Sequence, residues 1–110
     1  MGYIILYRDL YHKFITLLDK SLKYKRANGN KELVDLVHKL CKQFKEKLLN
    51  IIEGLKTVSY NMNIVILLKI SKEITALDKE MDVVNNIISK EILAQDRSIV
   101  NNINGLHYEI

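Results

Sequence analysis

Residues 67–88 read LLKISKEITALDKEMDVVNNII, and within them Leu67, Ile70, Ile74, Leu77, Met81, Val84 and Ile88 alternate spacings of three and four. That spacing keeps seven apolar side chains on one stripe of an α-helix and predicts a seam resembling that of a coiled coil. Strict continuation of the stripe meets Glu91 and Gln95, both polar, and apolar residues resume at Ile92, Ile99, Ile103 and Leu106. Either the seam shifts by a stutter or the chain turns near residues 94–98.

Upstream, Tyr7, Leu10, Tyr11, Phe14, Leu17, Leu18 and Leu22 recur at helical spacing and predict a first helix from about Ile4 to Arg26. Ala27-Asn28-Gly29-Asn30 should stop it, with Gly29 in the left-handed conformation and Asn30 capping the next helix. A second helix carries Leu33, Val34, Val37, Leu40, Cys41, Phe44, Leu48, Ile51, Ile52 and Leu55, and should end between Gly54 and Asn61. Ser59, Asn61 and Asn63 are all suitable caps for the third.

The fold expected is all-α, an antiparallel three- or four-helix bundle with a long C-terminal helix, built as a single domain over residues 1–110. The 110 residues contain no Pro and only four Gly, which removes the usual punctuation of β-sandwiches and barrels. An unbroken helix from Asn63 to Asn104 would measure roughly 63 Å against roughly 37 Å for each of the first two. The chain therefore either breaks, near 78–82 or at Asn85-Asn86, into a fourth helix, or it overhangs the bundle. No breaker stands between Leu67 and Ile88, which favours the overhang. The overhang would offer Ile87, Ile88, Ile92, Leu93, Ile99, Val100 and Ile103 to a partner helix or to a second copy of the chain.

Charge is uneven along the chain. Residues 1–56 hold twelve Lys or Arg and six Asp or Glu, and residues 57–110 hold five and seven. Lys20, Lys23, Lys25, Arg26 and Lys42 form a candidate anion-binding group, and nucleic acid is the partner such a patch would attract. Lysines interspersed with Asp35, Glu46 and Glu53 are equally what a solvated helix face carries, so nucleic acid ranks behind protein as the expected partner.

Candidates for chemistry are few. Cys41 follows His38 by three residues, the spacing of an activated thiol, but Cys41 falls on the apolar stripe, where a free Cys behaves as a small hydrophobe. Asp35 three before His38 is the sole fragment of a bundle metal site, and His12 and His107 stand alone. The Arg and His spacing of helical ribonucleases is absent: three residues separate Arg8 from His12 and nine separate Arg97 from His107. We expect no enzymatic activity, no catalytic or metal-binding residues and no cofactor.

A single cysteine favours a reducing compartment. The longest uncharged run, Thr57 to Leu68, is 12 residues, short of the roughly 20 that span a membrane. Met1-Gly2-Tyr3-Ile4-Ile5-Leu6 lacks the basic start of a signal peptide. These features predict a cytoplasmic protein that does not engage a membrane.

Two segments, Leu48-Leu49-Asn50-Ile51-Ile52-Glu53-Gly54-Leu55 and Ile70 to Glu80 with its Ile-x-x-Leu-Asp-x-Glu string, together with Tyr108 near the end, resemble the FliT-like flagellar export chaperones. The chain departs from that family in its basic charge and in lacking a Gly/Lys run before the terminal Tyr. The resemblance implies a small cytoplasmic chaperone whose C-terminal helix alternately covers and releases a partner site. Gln95 within the heptads, followed by Asp96-Arg97-Ser98-Ile99, also looks like the polar layer of a membrane-fusion SNARE helix, again a helix that seeks partners.

Overall fold

Among the described residues the fold consists of three helices, α1 (Gly2–Arg26), α2 (Lys31–Tyr60) and α3 (Ile64–Tyr108). They come from a computed structural model, which describes the backbone of residues 2–60 and 63–108 and the side chains of residues 2–58 and 63–94. The segment offered for a break, 78–86, lies inside α3 without interruption. No helix among the described residues is long and apolar enough to cross a membrane.

The first turn is built from four residues, each with a separate job. Asn28, not Gly29, takes the left-handed conformation, with φ of 57°. Asn tolerates that region because its short side chain bonds locally. The N–H of Gly29 donates to the Tyr24 carbonyl at 3.0 Å and that of Asn28 to the Lys25 carbonyl at 3.2 Å, the paired bonds of a Schellman ending. Gly29 serves close approach instead, since a Cβ there would stand 2.5 Å from the Tyr24 ring. Asn30 then caps α2, its Oδ1 accepting from the N–H groups of Glu32 at 2.9 Å and Leu33 at 3.3 Å. Of the three possible caps for α3, Asn63 fills the role: its Oδ1 accepts from the Val65 N–H at 3.0 Å.

Each helix turns one stripe inward. Leu10, Phe14, Leu17 and Tyr24 come from α1; Val37, Cys41, Phe44, Leu48, Ile51 and Val58 from α2; Ile70, Ile74, Leu77, Met81, Val84 and Ile88 from α3. The regular seam of residues 67–88 is thus the chain's own core, with Leu67 and Ile92 packed at its margins. Each fully enclosed side chain of this size contributes roughly 1.5–3 kcal/mol by leaving water. Tyr11 and Leu22, expected on the inward stripe of α1, are about half exposed. They stand about 100° and 120° round the helix from Leu10, on a second stripe.

Polar pairs along the edges fix the register. Lys13 reaches Asp78 at 2.6 Å and Asp82 at 2.7 Å, and Lys20, seven residues on, reaches Asn85 at 2.9 Å and Ser89 at 3.2 Å. Numbers rise together on α1 and α3, so these helices run in the same direction. Between α2 and α3 they run oppositely, because Lys47 meets Glu80 at 2.8 Å while Gly54 lies against Ile70. Gly54 stays helical rather than ending α2, and its missing side chain gives Ile70 room.

Candidate partner-binding surface

The level at which α1 and α2 stop decides what α3 leaves uncovered. Near the turn, Asn30, Glu32, Leu33 and Leu36 share a shallow concavity of about 350 Å³ with Ile87 and Glu91. Residues 87–91 are therefore level with the end of α1 and the start of α2. From Glu91, α3 continues to Tyr108, roughly 25 Å further at 1.5 Å per residue. The longest dimension of the molecule, 72 Å against 23 and 16 Å, reflects this one helix.

The residues expected on the overhang separate into four groups. Ile88 is 0% exposed and belongs to the core, because Lys20 of α1 reaches across to Ser89 and closes the bundle at that level. It is removed from the binding candidates. Ile92 is partly buried against the same core. Ile87 and Leu93 are 44% and 55% exposed and remain open. The side chains of Ile99, Val100 and Ile103 lie outside the described residues, although the backbone there is helical.

The basic residues do not assemble into one site. The ammonium of Lys20 is held by Asn85 and Ser89, and that of Lys23 pairs with Asp19 at 3.1 Å on an exposed edge. Lys25 and Arg26 are exposed in the last turn of α1, where cations complement the helix dipole. Lys42 is exposed well inside α2, eleven residues after Lys31 and so roughly 16 Å along the helix.

Cys41 is 4% exposed, and burial pushes its thiol pKa up, the opposite of activation. His38 is exposed on the flank of α2. No group of three or more metal-binding side chains occurs among the described residues.

The Lys13 and Lys20 ladder escaped sequence reasoning. A signal was present: Lys at a spacing of seven on one helix matches Asp78-x3-Asp82 and Asn85-x3-Ser89 at the same spacing on another. Each Lys answers one i, i+4 pair, and both pairs are met together only in the observed register. No family model matches the chain, and neither the curated proteins nor the solved structures contain a match.

Proposed function

We propose that the chain is a small protein–protein interaction module, an export chaperone or adaptor that binds a partner helix along the C-terminal part of α3. The observation that carries this reading is the mismatch of lengths: α3 has 45 residues, and its neighbours of 25 and 30 stop near residues 87–91. Past the bundle the sequence keeps a helical spacing, with Ile99, Ile103 and Leu106 four and three residues apart, the pattern that a partner helix would read. The likeness to FliT-like export chaperones points the same way.

Nucleic acid is the alternative partner, through Lys25, Arg26 and Lys42. Engagement of Lys20 and Lys23 within the chain weighs against it. A chain ending at Ala94 tests both readings. It should keep its helicity and melting temperature while losing partner capture by cross-linking, with no dependence on nuclease. Retention of the full chain on a DNA or RNA column above physiological salt would transfer the function to the basic residues.

A further inference from the structure

A second apolar stripe runs along α1 on the side away from Lys13 and Lys20. Ile4, Tyr11, Ile15 and Leu22 are 58%, 46%, 43% and 50% exposed, and Leu18 joins them partly buried. The spacing 4, 11, 15, 18, 22 is that of a heptad seam, broken only by Arg8 where another apolar residue would fall. From Ile4 to Leu22 the stripe is roughly 27 Å long. Within the chain Leu18 packs at the edge of the core and the Tyr11 ring stacks on Tyr7 at 6.5 Å, while the inward face of α1 is a different set, Leu10, Phe14, Leu17 and Tyr24, which leaves Ile4, Ile15 and Leu22 open.

We propose that the chain pairs with a second copy of itself through this stripe, the two α1 helices running in opposite directions about a two-fold axis level with residue 13. Three observations select a second copy over another protein. The stripe is self-complementary when reversed: Ile4 comes opposite Leu22 of the other copy, and Tyr11 opposite Ile15, with both pairs repeated by symmetry. The same reversal sets Arg8, the charged interruption, across from Leu18 of the other copy and one position from its Asp19, so that the guanidinium turned to the rim meets a carboxylate that Lys23 of its own chain already holds, twice by symmetry. The area also fits. The four half-exposed side chains leave on the order of 100 Å² each, so the two stripes together offer roughly 800 Å², and the rim of Arg8, His12 and Asp19 carries the pair past the roughly 1,000 Å² that a specific interface needs.

Interfaces at that edge are weak and transient, and area alone does not set their affinity. The pairing uses α1 and leaves the overhang of α3 free, so it stands or falls apart from the partner-binding role of α3. Sedimentation of the full chain at roughly 0.1 mM should show a dimer. Ile15→Glu places a carboxylate opposite Tyr11 and should weaken association at least tenfold, with the helical signal and melting temperature of the monomer retained. Arg8→Glu should weaken association at a position far from the core, and Asp19→Arg added to it should restore the dimer. A monomer at that concentration, a dimer indifferent to both Ile15→Glu and Arg8→Glu, or a dimer abolished by ending the chain at Ala94 would each overturn the assignment.

Discussion

The ring of Tyr24 occupies the space that a side chain on Gly29 would need, at 2.5 Å from an ideal Cβ, while the Tyr24 hydroxyl accepts the backbone N–H of Asn30 at 2.9 Å. One buried phenol therefore closes α1, fills the turn and satisfies the amide of the residue that caps α2. Gly29→Ala should cost about 1–3 kcal/mol by overpacking, since the opposing atoms are a rigid ring enclosed by the core. Gly29 has no positive φ, so the cost should vanish in a Tyr24→Ala background, a double-mutant cycle readable by urea denaturation. Tyr24→Phe should cost about 1 kcal/mol through the unpaired Asn30 amide.

Lys13 tests the ladder between α1 and α3. Its pKa is raised, chiefly by the hydrogen bonds to Asp78 and Asp82. A base whose folded-state pKa is raised adds stability that is complete below its unfolded pKa and is lost as pH climbs through the folded value. The contribution should therefore hold at neutral pH and fade in the alkaline lysine range. Lys13 is one-third exposed and the two carboxylates about half, so solvent screens the pairs in part, and Lys13→Met should cost no more than about 1 kcal/mol at pH 7 and less in high salt. The measurement is the difference in denaturation midpoint between wild type and variant, which should shrink as pH rises above the lysine range.

The seam of residues 67–88 could be read from sequence because one helix lying against two others buries a single stripe, and its spacing is uninterrupted. The first helix resisted the same reading. It carries two apolar stripes about a third of a turn apart, and a three-four spacing rule merges Tyr11 and Leu22 with Leu10, Phe14 and Leu17. Burial of Tyr24 depended on the turn conformation, where Asn28 rather than Gly29 takes the positive φ. At the candidate surface, Ile87 and Ile88 looked alike because the end of the bundle is set by pairs 65 and 69 residues apart, Lys13 with Asp78 and Lys20 with Ser89. Local periodicity carries no information about that register.

Cys41 should behave as core rather than as a reagent. The thiol is buried between the apolar stripes and its pKa is raised by desolvation, so little thiolate forms at neutral pH. Alkylation by iodoacetamide at pH 7 should be slow and should accelerate with urea in step with unfolding. Cys41→Ala should cost roughly 1–2 kcal/mol through the lost volume. Rapid labelling in native buffer would place the sulfur outside the core.

Ile87 and Ile88 are adjacent in sequence and opposite in environment, 44% and 0% exposed. Ile88 ends the buried run Ile74, Leu77, Met81, Val84, whereas Ile87 faces the concavity shared with Leu33 and Leu36. Ile88→Ala removes three carbons from a closed core and should cost about 2–5 kcal/mol. Ile87→Ala removes the same atoms from a surface already half wet and should stay within about 1 kcal/mol. Comparing the two denaturation midpoints checks the level at which the bundle closes. Equal costs would mean that α1 and α2 stop short of Ile88 and that the open part of α3 begins a full turn earlier.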